Sequence, residues 1–258
     1  MDKKLKTVII FYGLVFIIIY GLTFLLFFFE YLSLLIELFI SFALALTIFL
    51  LIFIIIRYLL DGWNLELLGW KKKNFSKSLL WASASLLPSN LALSIACYVL
   101  GTDTVLTWVH TGIQPPYPAW LPLFGIFYWF LSGIISFSFW QAFPYECLKE
   151  YPKKYSIPII SILFILLYNQ PLMTRAFYLT DIIWLGIIFV LIYHRFQNSL
   201  SLVMSYVFLF EGPVVWCFGI IFGELIFFII LNIRAIWCIA AVLILIFKYH
   251  KKGQQKNY

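Results

Sequence analysis

Ala119–Leu148 reads AWLPLFGIFYWFLSGIISFSFWQAFPYECL, and from Ala119 to Tyr145 it contains no charged side chain. A helix rises about 1.5 Å per residue, so about 20 apolar residues cross the hydrocarbon core of a bilayer. Ala119–Phe143 meets that length and predicts a membrane-spanning helix. A surface helix of a water-soluble domain would carry charges along one face, and this run carries none. At its end Pro144 predicts a helix stop that turns the Glu146 carboxylate back toward the other helices.

Similar runs occur on both sides of this one. Met1–Lys6 is a basic lead-in to Thr7–Phe29, which lacks the small-residue cleavage site of a secretory signal and reads as a retained first span. Leu32–Ile56 returns as a second. Ser78–Leu100 forms the third, with a kink expected at Pro88. After the fourth, spans are expected at about Ser156–Tyr168, Ala176–Tyr193, from Asn198 to the Glu211-Gly212-Pro213 interruption, and across the last apolar stretch to Phe247. Between the second and third, RYLLDGWNLELLGWKKKNFSK (Arg57–Lys77) suits an amphipathic segment at the interface, with Trp63 and Trp70 as headgroup anchors.

The basic residues orient this layout. With eight spans and the N-terminus inside, all of the eighteen lysines and arginines except Arg175 and Arg234 fall on the cytoplasmic side. A ninth span, made by breaking the last stretch near Asn232-Ile233-Arg234, would place the basic tail outside. The sequence therefore predicts an all-α, polytopic membrane helical bundle of about eight transmembrane helices, both termini cytoplasmic, in the cell membrane. It reads as one integral membrane domain: two N-terminal spans (1–61), a core (62–212), and the last span with its basic tail (213–258).

Composition limits the function classes. The chain is 64% hydrophobic and only 11% charged, too few polar residues to cover a soluble domain of 258 residues. The net charge of +7 sits in clusters flanking apolar runs, which marks topology and argues against nucleic acid as a partner. Cys97, Cys147, Cys217 and Cys238 form no CxxC pair, and His110, His194 and His250 are isolated, so neither a metal site nor a Ser–His or Cys–His nucleophile is indicated. No cofactor is expected. Glu37 and Arg234 fall inside spans, where charge is expensive. Glu37, Glu211 and Glu224 are the candidate partners of Arg234, Glu37 being preferred.

Three segments carry a family pattern. NLELLGWKKKNFSKSLLW has a Leu-Gly lead into a helix; QAFPYEC (Gln141–Cys147) ends the fourth span; GIIFVLIYHRFQNSLSLVMSY joins the sixth and seventh through a Tyr-x-Arg turn. In this layout residues from about Trp63 to Gly212 resemble the CPBP family, which includes CAAX prenyl endopeptidases and bacteriocin-processing or immunity proteins. The family's Glu-Glu-x-x-x-Arg-Gly motif falls on Gln141, Ala142 and Glu146. Its Phe-x-x-x-His falls on Phe164 and Tyr168, and its His-x-x-x-Asn on Tyr206 and Phe210. Both glutamates are absent, the arginine is reversed in charge, and both histidines are tyrosines, poor bases at neutral pH. Phenylalanine at 210 also removes an oxyanion donor.

The resemblance thus implies the family's fold without its glutamate-dependent peptidase activity. The expected partners are the lipid bilayer and a membrane helix, a lipidated peptide or another protein held in the former active-site cavity, with Gln141, Tyr168 and Tyr206 lining it. Two alternatives stay open: an endopeptidase whose acid has moved to Glu146 or Glu211, and a transporter or lipid-handling protein.

Overall fold

The computed structural model describes residues 3–27, parts of 43–57, 65–102, 105, 121–168, 186–210 and 223–254. Among them every regular element is helical and there is no strand. In chain order these are α1 (Lys3–Phe27), a 3₁₀ turn (Leu65–Leu68), α2 (Phe75–Ser85), α3 (Leu87–Leu100), α4 (Leu121–Gly133), a π-helical segment (Ile134–Ala142), α5 (Phe143–Leu148), α6 (Lys153–Tyr168), α7 (Phe189–Phe196), α8 (Ser199–Leu209) and α9 (Glu224–Gln254). Two continuous helical stretches among the described residues are long and apolar enough to cross a membrane, Ile126–Leu148 and Glu224–Lys248, with mean hydropathies of 1.3 and 2.6. The bent pair α2–α3 adds a third if it acts as one span. Much of the second span (Leu32–Ile56) and of the sixth lies outside the described residues; the described parts of the second, among them 46–51, are helical.

The chain divides into two compact units. The first contains Met1–Lys73 and Leu131–Leu200. Here α1 buries Val8, Phe11, Tyr12 and Val15, spaced three and four apart along one face, while Ile9, Phe16 and Ile17 point outward. That inward face packs on α5, where Phe11 meets Phe143 edge-on with ring centroids 4.9 Å apart. The π segment packs on α6 through Phe137, which stacks on Phe164 at 5.8 Å and tilts against Phe189 at 5.4 Å. Gly186 allows the chain entering α7 to approach α6 closely: a Cβ there would stand 2.5 Å from Cγ1 of Ile165.

The second unit contains Asn74–Phe130 and Ser201–Tyr258. Its long helix α9 packs on α2 and α3. Phe227, Leu231, Ala235, Cys238, Ala241 and Leu245 make the buried stripe of α9, and Leu225, Ile233, Ile236 and Phe247 make an exposed face that is equally apolar. A helix hydrophobic all round suits lipid on its outer side. α9 runs without a break through Asn232-Ile233-Arg234, so the point where a ninth span would have been cut is continuous helix. Asn232 returns its amide to the Phe228 carbonyl at 2.8 Å, one turn back.

Proline acts as expected at one site and not at the other. α2 and α3 meet at a 44° bend around Leu86, with Pro88 in the first turn of α3. Its ring clashes with the carbonyl four residues back and it donates no N–H, which ends α2 at Ser85. Pro144 does not end the fourth helix. The chain stays helical to Leu148, and Glu146, expected in a charged loop, lies in α5. The π geometry supplies the reason: the Phe143 N–H reaches back five residues to the Ser138 carbonyl, which takes up the register change. The Trp140 carbonyl, deprived by Pro144 of its usual donor, accepts the Tyr12 hydroxyl at 2.7 Å instead.

Candidate functional site

Residues 137–148 are buried throughout. Within them Glu146 is the one ionisable carboxyl, its side chain only 3% exposed. Burying a carboxylate is costly unless it is paired and hydrogen-bonded, and here it is both. Oε1 accepts from Lys71 Nζ at 3.0 Å and from the Tyr193 hydroxyl at 3.0 Å. Oε2 accepts from Lys149 Nζ at 3.3 Å. The lysine side chains are 21% and 51% exposed, so both reach in from the surface along their methylene stems while the carboxylate stays inside.

Each donor is held in place. Lys71 follows the 3₁₀ turn, and the Asn198 amide fastens that strand of chain by donating to the Lys71 carbonyl and, at 3.3 Å, to the Lys73 carbonyl. The Ser199 N–H donates to the Gly69 carbonyl at 3.0 Å, and the Ser199 hydroxyl to the Leu68 carbonyl. Trp70 donates its indole N–H to Ser138 Oγ at 2.8 Å, and Ser138 Oγ lies 3.2 Å from Ser199 Oγ. Trp70 is therefore docked into the protein. Gly69 sits at φ +72°, and a Cβ there would stand 2.7 Å from the Tyr193 ring and hydroxyl; only glycine lets the phenol pass to Glu146. Gln197, at φ 51°, turns the chain from α7 into Asn198.

A second pair adjoins this one. Tyr145 packs edge-on against Tyr193 with ring centroids 5.3 Å apart, and its hydroxyl hydrogen-bonds His194 Nδ1. Partial burial, then the nearby Lys153 and Arg195 charges, hold His194 below its ordinary pKa and favour the neutral ring.

The motif positions fare differently. Gln141 is fully buried in the π segment, and neither its amide nitrogen nor its oxygen has a hydrogen-bond partner among the described residues. Ala142 is fully buried beside it. Tyr168 ends α6, and its side chain lies outside the described residues. In the second unit Tyr206 and Phe210 stack on each other at 5.6 Å, and Trp129 meets Tyr206 edge-on at 6.0 Å, so these positions form aromatic core. Glu211 and Glu37 lie outside the described residues. The described partner of Arg234 is backbone: its guanidinium donates to the Leu209 carbonyl at the C-terminal end of α8. Asn90 donates to that carbonyl at 3.0 Å and to the Leu86 carbonyl at 2.9 Å. Glu224 stands ten residues before Arg234 on the same helix, about 15 Å along the axis, beyond pairing distance.

Chemically, Glu146 is an anchored acceptor. Both oxygens are engaged by donors, two of them cationic, and the side chain is only 3% exposed, so three of the roughly four acceptor positions of the carboxylate are taken. Among the described residues no group of three His, Cys, Asp or Glu side chains is placed to hold a metal ion. Lys71, Tyr193, Asn198 and Ser199 build the site, yet nothing local to them marks it. The Leu-Gly lead and the Tyr-x-Arg turn were the available signals: Lys71, two residues after Gly69, and Tyr193, which opens that turn, meet at Glu146. Comparison with protein-family models, curated proteins and solved structures finds no match.

Proposed function

We propose that this chain is a multi-pass membrane protein of about eight spans, with both termini cytoplasmic, that binds a membrane helix, a lipidated peptide or a partner protein and does not hydrolyse it. The lysine and arginine distribution supports the orientation, and the unbroken α9 supports one final span rather than two. A CPBP-like layout is supported by the meeting at Glu146 of three segments that carry the resemblance, Gly69–Lys71, Gln141–Cys147 and Tyr193–Ser199, in one compact unit.

One observation carries the non-hydrolytic reading: Glu146, the acid nearest the family's catalytic position, is buried with both oxygens occupied by Lys71, Lys149 and Tyr193. Gln141, five residues earlier, carries an amide that takes no proton from water at neutral pH. The test is cleavage of a fluorogenic lipopeptide by the purified protein. No turnover is expected from wild type or Glu146→Gln. Turnover by wild type that Glu146→Gln abolishes would establish a relocated catalytic acid and overturn the proposal.

A further inference from the structure

An open groove of about 520 Å³ lies in the first unit, away from Glu146's oxygens and from Gln141. α1 contributes Leu5, Val8 and Ile9, Leu148 closes one end, and α6 contributes Ile159 and Leu163. Residues 5, 8, 9 and 12 share one face of α1, and 155, 156, 159 and 163 share one face of α6, so each wall runs about 10–12 Å along its helix. The floor is buried (Val8, Leu148), while Ile9 and Ile159 at the rim are about half exposed. The lining is almost wholly apolar.

The mouth is not. The Lys4–Glu150 pair brings the start of α1 to the turn before α6, so the first turns of both helices, which carry Lys6, Lys153 and Lys154, lie at one end of the groove. Lys4 pairs with Glu150 across the mouth at 2.6 Å, tying α1 to the turn before α6. Lys154 Nζ stands 4.9 Å from the ring centroid of Tyr155, a lining residue. Lys6 is three residues before Ile9 and Lys153 three before Ser156, the helical spacing of neighbours, and both are exposed. Among the described residues Lys4 and Glu150 offset each other, and Lys6, Lys153 and Lys154 enter no ion pair, so positive charge remains at this end.

We infer that this groove is a binding site for an acidic phospholipid, one acyl chain lying between α1 and α6 and the phosphate among the lysines at the mouth. An apolar slot with a cationic collar matches an anionic amphiphile in both halves. A neutral prenyl or acyl peptide would use the slot and leave the collar without a counter-charge. The inference rests on the membrane reading above, and the two fail separately.

The experiment uses the full chain in neutral detergent, incubated with equal amounts of phosphatidylglycerol and phosphatidylcholine of matched acyl chains, with bound lipid read by native mass spectrometry. Wild type is expected to retain phosphatidylglycerol about tenfold over phosphatidylcholine. Lys6→Glu with Lys153→Glu, two exposed positions outside the ion pairs, should bring that ratio near unity. Ile9→Trp with Ile159→Trp, which fills the slot from its exposed rim, should lower retention of both lipids. Equal retention of the two lipids by wild type overturns the inference, as does a preference unchanged by the lysine reversals. Uptake of a neutral lipidated peptide that phosphatidylglycerol does not displace also overturns it, in favour of a peptide site. Recovery of the chain as a monodisperse species without detergent overturns the membrane reading and this inference together.

Discussion

Among the described residues each compact unit buries one charged side chain, and the two solve the problem differently. Glu146 is met by side chains: Lys71 and the Tyr193 phenol, brought from two other stretches of chain, and Lys149, three residues further on. The described contact of Arg234 is with backbone, the carbonyl that ends α8. The last carbonyls of a helix lack intrahelical donors and carry the negative end of its dipole, so a cation there satisfies an orphan acceptor and an electrostatic field at once. A carboxylate cannot use that end of a helix. Lysines serve Glu146 because their long stems let the ammonium groups stay near water while they neutralise it. The difference teaches that burial depth and sign of charge, rather than charge alone, select the kind of partner.

The comparison breaks most visibly at Glu146. Glu146→Ala removes the only described acceptor of the buried Tyr193 hydroxyl and strands Lys71 at the edge of an apolar site. A loss of about 3 kcal/mol is expected, seen as a lowered Tm in detergent by scanning fluorimetry. A change within about 0.5 kcal/mol of wild type would show that the cluster contributes nothing to folding. Arg234→Met should cost less, about 1–2 kcal/mol, because Asn90 still donates to the Leu209 carbonyl and the methionine fills much of the same volume. If Arg234→Met proves the more damaging of the two, backbone is not the partner that matters for this cation.

The smallest effect concerns His194. Its pKa is depressed in the folded chain, so the neutral ring is the folded form's preference and the unfolded chain binds the proton more readily. The stability this contributes is complete above the ordinary histidine range, near pH 6.5, and is lost as pH falls through the lower folded value. Wild type should therefore lose Tm on the acid side more steeply than His194→Gln, the two curves running parallel above neutrality. Parallel curves throughout would exclude the Tyr145–His194 pair as a source of pH dependence.

The fold was legible where physics is local. Pro88 announces the α2–α3 bend because a proline acts on its own turn, and the 44° angle lies two residues from it. Pro144 carries the same local signal and is overridden, because a π register and the Tyr12 hydroxyl, far off in the chain, absorb its cost. The candidate site was half legible. Gln141 is conspicuous as a polar residue within a long apolar run, and Glu146 as the first charge after it. Lys71 reads only as part of a topology signal, and Trp70 only as an interfacial anchor, since neither residue's sequence neighbours reveal what its side chain touches.

The sequence by itself determined the helical, apolar character of the chain, the clustering of its lysines beside apolar runs, and the lack of a carboxylate at Gln141 and Ala142. These are properties of consecutive residues, set by composition and by a 3.6-residue period. Only the tertiary structure decided that Glu146 is a buried anchor and that Arg234 answers to a carbonyl. Lys71 and Glu146 are 75 residues apart, Tyr193 and Glu146 47, Arg234 and Leu209 25. Pairing across such separations depends on which helices pack together, and no local pattern encodes that.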